Sequence, residues 1–181
     1  MKIITIFDAV QNGTFEDFLS FYKGNPNEIS QSDNLNLLMM TVTEKTFTDD
    51  KLKIISFLIK EGIDVNYLDK DYRNVLHIFF QAKANWRVNV KYALTILTIL
   101  LESGIDINQV DKYGSIPLIY AITVLKLPTE EAIPIYNLLI DSGSDINLKN
   151  FQGKSAVDYA REFSWRHGLL SENGGPLYDK E

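Results

Sequence analysis

The sequence of 181 residues contains no cysteine. That excludes disulfides, zinc–thiolate sites and thiol nucleophiles, and it suits a reducing cytosol. Proline and glycine are sparse, at 5 and 10 residues, as in a globular chain and unlike a disordered one. Long apolar runs are lacking too: the longest, YALTILTILL at residues 92–101, is about half of what a membrane span requires. In the amino-terminal MKIITIFDAVQNGTF, Asp8 cuts the apolar run short of the roughly 7–15 residues of a secretory core, so no signal peptide is expected. Positive charge is in deficit. With 18 Lys and Arg against 24 Asp and Glu the net charge is −6, which argues against a nucleic-acid surface. None of the patterns G-x-x-x-x-G-K-[ST], G-x-S-x-G or H-E-x-x-H occurs. The formal glycosylation sequon Asn12-Gly13-Thr14 falls at a helix joint and reads as chance.

What is present is self-similarity. Residues 62–66 read GIDVN, residues 104–108 GIDIN and residues 143–147 GSDIN. Aligned on their glycines, the following segments agree without a gap: Asp69, Asp111 and Asn150 stand at one position, and Leu76, Leu118 and Val157 at another. A weaker copy anchored on Gly24 places Gln31, Asn34 and Leu38 at corresponding positions. Gly24, Gly62, Gly104 and Gly143 are thus 38, 42 and 39 residues apart, a period that signals a stacked array. Each unit carries one plan: a helix closed by Gly, a short Asp/Asn-rich reversal, then an apolar run opening the next helix. One helix pair cannot bury so much apolar surface alone, so neighbours must stack.

The unit resembles the ankyrin repeat. NVLHIFF, SIPLIYA and KSAVDYA stand for its first helix, and FLIKEGIDVN, ILLESGIDIN and LLIDSGSDIN for its second helix and exit, over nearly the whole chain. The resemblance implies an all-α solenoid of about five helix pairs with short hairpin-like turns. The expected organisation is a single domain: an amino-terminal cap (1–24), repeats at 25–64, 65–106 and 107–145, a carboxy-terminal cap (146–170) and a frayed tail (171–181). A family unit of about 33 residues is exceeded in each interval, so the surplus must lie between the helices of a pair, in TEKTFTDD, QAKANWRVNV and LKLPTEE. Tyr72 stands where Gly114 and Gly153 stand in the neighbouring turns, so an altered hairpin is expected over residues 70–73. Trp165 is expected to seal the open end of the stack.

Candidate chemistry is thin. His77 falls in the slot of the family's TPLH histidine, which implies a hydrogen-bonding brace between turns, and His167 reads as an exposed cap residue. The recurrent aspartates Asp64, Asp106, Asp145, Asp69 and Asp111 follow the repeat period and read as caps for local backbone donors. No catalytic, metal or cofactor site is expected. The resemblance places partners on the hairpin tips and the adjacent face of the first helices. Those positions are Leu68, Lys70, Asp71, Arg73 and Gln81, then Val110, Lys112, Tyr113, Ser115 and Thr123, then Lys149, Phe151, Gln152 and Lys154. Trp86, in the longest insertion, either folds down or stands out as an anchor. The expected protein is a cytoplasmic, monomeric, noncatalytic binder of another protein. Some small bacterial proteins of this kind are immunity proteins that neutralise a toxin, so the resemblance implies a basic toxin domain as one partner; an intracellular scaffold or adaptor is the alternative.

Overall fold

The computed structural model describes residues 2–43 and 48–169. Among them the elements run α1 (Ile6–Asn12), α2 (Phe15–Phe21), α3 (Leu37–Thr41), α4 (Asp49–Lys60), α5 (Val75–Gln81), a 3-10 turn (Lys83–Asn85), α6 (Val90–Glu102), α7 (Pro117–Val124), α8 (Thr129–Asp141), α9 (Ala156–Glu162) and a second 3-10 segment (Ser164–Leu169). Short polar side chains start the helices as their chemistry requires. Thr5, Thr14 and Ser155 each form a reciprocal capping box with an aspartate three residues on, and Asn36, Asn74 and Asn89 accept amide hydrogens of their own first turns.

The longer second helices bury one stripe in common register. In α6 it is Ala93, Ile96, Leu97 and Leu100, and in α8 it is Ala132, Ile135, Tyr136 and Leu139, the spacing of one helix face. In α4 the stripe reads Lys51, Ile54, Ile55 and Leu58, so a lysine stands where the other two helices have alanine. Because this stripe and the closing glycine keep the same spacing, the surplus residues precede each second helix, as expected. Residues 44–47 of the first insertion, and the tail from 170 onward, lie outside the described residues. The short first helices α1, α3, α5, α7 and α9 pack successively into one layer. Behind them α2 packs on α4 and α6 on α8, and the last 3-10 segment covers both α8 and α9. Leu76, Phe79, Leu97 and Leu139 are fully enclosed between the layers, and burying each such side chain contributes about 1.5–3 kcal/mol.

The hairpin over residues 70–73 is not altered. Asp69 N–H donates to Arg73 O at 3.0 Å and Tyr72 N–H to Asp69 O at 3.0 Å, the same pair of bonds made by Asp111 with Ser115 and Gly114, and by Asn150 with Lys154 and Gly153. Tyr72 therefore adopts φ 60°, beside 77° at Gly114 and 75° at Gly153. The surroundings hold it there: Asp69 Oδ1 accepts the amides of Asp71 and Arg73, and its Oδ2 lies 2.5 Å from the Arg73 guanidinium. The first hairpin does differ, because it is one residue longer. Ser30 N–H donates to Leu35 O and Asn34 N–H to Ser30 O, so Ser30, and not Gln31, occupies the position of Asp69. Asn34, at φ 55°, matches Tyr72.

Two polar series tie consecutive units together. On the side of the GIDIN phrase, Asn66 donates to Gly104 O and accepts from Asp106 N–H, and Asn108 does the same to Gly143 O and Asp145 N–H. Asn27 serves Gly62 and Asp64 in the first interval. At the far ends of α1, α3 and α7, a side chain from the following unit reaches back to a carbonyl at the end of the helix. Lys51 Nζ donates to Val10 O, Asn85 Nδ2 to Val42 O at 2.9 Å, and Arg166 to Ile122 O at 2.9 Å. Helix carboxy termini leave such carbonyls without intrahelical donors, so each contact answers a definite need.

The last of these corrects the expectation for Trp165. The indole is 60 % exposed and stacked on Phe163 at 4.7 Å, and among the described residues it does not seal the stack. The neighbouring Arg166 closes the stack, fully buried, with its guanidinium on the carbonyls of Ile122, Leu125 and Leu127, on the Thr129 hydroxyl, and 5.6 Å from the Tyr136 ring centre. An indole has a single N–H; a guanidinium has five in a fixed fork, enough to satisfy a helix end that lacks other donors.

Candidate protein-interaction face

Each hairpin tip is built on a polar knot that explains why its outer residues are free to face solvent. Asp111 accepts the amides of Tyr113 and Ser115 through Oδ1, and the Tyr120 hydroxyl at 2.6 Å through Oδ2. His77 joins adjacent knots. Its Nε2 lies 2.9 Å from Ser115 O, and since a carbonyl can only accept, Nε2 carries the hydrogen; Nδ1 then accepts the Asn74 amide at 3.2 Å. Burial pushes the His77 pKa down to about 4, so the ring is neutral and serves as the expected brace. Asp64, Asp106 and Asp145 accept the amides of Asn66, Asn108 and Asn147 two residues on, also as expected. His167 is exposed and lies 2.9 Å from Arg161 O.

With the knots turned inward, the tips stand out in a row joined by main-chain bonds: Lys112 N–H donates to Asp71 O at 2.8 Å and Phe151 N–H to Tyr113 O at 2.9 Å. Tyr113 is 59 % exposed and Phe151 81 %. Val110, Lys70, Lys112, Lys149 and Gln152 are exposed with them, and Leu68 is half-buried. Lys112 Nζ pairs with Asp71 at 2.9 Å and lies 5.0 Å from the Tyr113 ring centre, and its hydrogen bond holds the Asp71 carboxyl below the ordinary carboxylate range. Arg73 is occupied: it binds Asp69 and reaches Gln81 along the first-helix face. Lys154, at 2.5 Å from Glu162, is likewise engaged.

Ser115 does not belong to the surface. It is buried, with its amide on Asp111, its carbonyl accepting from His77 and its hydroxyl accepting from Asn150 at 3.3 Å. Thr123 is half-buried and returns its hydroxyl to Ile119 O. Trp86 is folded down: half-buried, with Nε1 enclosed and without an acceptor among the described residues, and with its carbonyl accepting Lys126 N–H at 2.6 Å. The row also contains a residue missed as a contact. Tyr72, 60 % exposed, continues the line of Tyr113 and Phe151, and the signal was its occupation of a glycine slot.

Beneath the tips, two clefts open against the first helices. One of about 390 Å3 is bordered by Leu35, Lys70, Arg73, Ile78 and Gln81, and one of about 330 Å3 by Tyr113, Tyr120, Thr123, Tyr159 and Phe163. Both are shallow; the first has aliphatic and polar walls, and the second mixes aromatic with polar walls, as protein-docking surfaces do. Among the described residues no group of three or more His, Asp or Glu is placed to hold a metal ion, and no helix is long and apolar enough to cross a membrane.

Stacked helix pairs joined by projecting hairpins define a repeat solenoid whose exposed tips and first-helix face form one extended surface. The chain belongs to the ankyrin-repeat family: residues 48–150 match the family description "Ankyrin repeats (3 copies)". Ankyrin repeats are protein–protein interaction modules, generally noncatalytic. No curated protein matches the chain.

Proposed function

We propose that the chain is a noncatalytic binding protein that docks a folded protein partner on the hairpin row and the clefts beneath it. The observation that supports this reading is the line of Tyr72, Tyr113 and Phe151, three exposed aromatic rings that enclose no core and stand on knots rigid enough to present them. Rigid aromatics at a surface centre are the residues that dominate binding energy in protein interfaces.

Two cellular roles take such a surface. Neutralising a basic toxin domain, as an immunity protein, is supported by the net charge of −6, which would speed association. Joining partners as a scaffold is supported by the tips themselves, where Lys70, Lys112 and Lys149 would meet a basic toxin with like charge. Copurification from the native cell followed by mass spectrometry separates the two: a single tightly held toxin means immunity, several cellular proteins a scaffold. With the partner in hand, Tyr113→Ala/Phe151→Ala should weaken binding by more than about 2 kcal/mol, roughly thirtyfold in Kd, with little change in Tm. Unchanged affinity by calorimetry would remove the hairpin row from the interface.

A further inference from the structure

A second surface lies at the opposite ends of the first helices, where the inserted segments meet. α7 leaves its hairpin at Pro117 and ends at Val124, about 12 Å away. There a cleft of about 420 Å3 is lined by Arg87, Leu125, Lys126, Leu127, Pro128 and Trp165. We infer that this cleft is a separate docking site that takes an acidic segment of a partner protein through an apolar anchor residue. It borders the hairpin face at Thr123, which lines this cleft and the one beneath the tips, but it shares no tip residue with that face and does not rest on the hairpin reading.

Charge is the first argument. Arg87 and Lys126 stand exposed on the walls; Lys126 and Lys83 place their ammonium groups 5.2 and 5.9 Å from the Trp86 ring centre beside them. Arg166 lies buried under the floor, donating to the carbonyls of Leu125 and Leu127, both of which line the cleft. Among the described residues none of these four cations has a carboxylate in an ion pair. On a chain of net charge −6, Arg87 and Lys126 on the walls, Arg166 beneath the floor and Lys83 beside Trp86 gather on one side of the fold with no carboxylate paired to them among the described residues. The low-dielectric floor keeps the field of Arg166 from being screened as a surface charge would be.

Shape is the second argument. The floor is aliphatic, and Trp165 forms a wall that is 60 % exposed yet already held against Phe163 at 4.7 Å. A ring ordered before binding loses little entropy on contact, which favours an apolar side chain entering beside it. The cleft is wide enough for one such side chain, with carboxylates on either side reaching Arg87 and Lys126. A nucleic acid fits less well, because its affinity comes from many phosphate contacts along a basic track and the protein as a whole repels a polyanion.

The two tryptophans of the chain, Trp86 and Trp165, both border this region, so intrinsic fluorescence reports on it directly. The probe is a tryptophan-free peptide of twelve residues, all Asp and Glu except for a central Leu-Phe pair, titrated into the full chain. A saturable change is expected with the native sequence. Binding should weaken at least tenfold in Arg87→Glu/Lys126→Glu and stay unchanged in Tyr113→Ala/Phe151→Ala, with melting curves confirming that both variants fold. The inference is overturned by no saturable change, by equal binding to the charge-reversed variant, or by equal binding of a peptide of twelve glutamates. Equally tight binding of a twelve-nucleotide oligothymidine would assign the site to nucleic acid instead. Tighter peptide binding by Asp179→Lys/Glu181→Lys would assign the cleft to the chain's own tail and likewise overturn it.

Discussion

Replacing Tyr72 by glycine should stabilise the protein while weakening its partner. A residue with a Cβ costs about 1–2 kcal/mol in the left-handed region that Tyr72 occupies at φ 60°. Against this, glycine makes the unfolded chain less ordered, at a cost of about 0.4–1 kcal/mol. Little else is lost on folding, because the ring is 60 % exposed and the hairpin bonds belong to the backbone and to Asp69. The midpoints leave about 0.8 kcal/mol in favour of glycine, which for a chain of this length raises Tm by roughly 2–3 °C. Differential scanning calorimetry of the full chain, supported by urea denaturation, measures it. The reverse change, Gly114→Ala, should destabilise by about 1–3 kcal/mol, since its φ is 77° and a Cβ would lie 2.8 Å from the Phe151 ring and 3.1 Å from the Phe151 amide nitrogen. A Tm for Tyr72→Gly that is unchanged or lowered would refute the reasoning, because the strain at residue 72 would then be absent or compensated by the side chain. The partner measurement on the same variant is independent: loss of the ring should reduce affinity even as the fold gains.

At the carboxy-terminal end, Arg166→Met should cost about 3 kcal/mol in urea denaturation, because it strips donors from the carbonyls of Ile122, Leu125 and Leu127, whereas Trp165→Ala should stay within about 0.5 kcal/mol. A larger loss at Trp165 than at Arg166 would contradict the assignment of the seal. The buried His77 makes stability depend on pH. Its folded pKa of about 4 lies below the unfolded 6.5, so the unfolded chain binds the extra proton; the contribution is complete above pH 6.5 and lost as pH falls toward 4, by about 3 kcal/mol in all. Denaturation midpoints at pH 7.5 and 4.5 should therefore differ for the native sequence and converge for His77→Gln, and equal slopes in both proteins would reject the argument.

Much of the architecture could be read from local patterns, because the repeat writes the same local chemistry at a constant offset. The helix-closing glycines, the Asp and Asn turn braces, the buried stripe of each second helix and the brace role of His77 depend on neighbours a few residues away or one period away. Three features resisted. Tyr72 in a glycine slot suggested a changed turn, yet the short-range bonds of Asp69 to Asp71, Tyr72 and Arg73 hold the common geometry against the local cost of a positive φ. Ser115 reads as a tip residue by position, but the knot formed with His77 and Asn150 draws it inward. In the terminal unit Trp165 reads as a plug by hydrophobicity, whereas the need at that end is for hydrogen-bond donors, which Arg166 supplies.

By itself, then, the chain determined its class and its ruler: a period of about 40 residues, helix pairs, reversals braced by Asp and Asn, and insertions confined to one side. Periodicity suffices for these because hydrogen bonding within a turn and burial on one face of a helix are short-range. Only the tertiary structure decided which side chains face outward at the tips, what caps the far ends of the first helices, and that Arg87 and Lys126 line one cleft with Arg166 beneath its floor and Lys83 beside the neighbouring Trp86. Those residues are up to 83 positions apart along the chain, between Lys83 and Arg166, and no local rule couples them. Their meeting depends on how the inserted segments of successive units fold against one another.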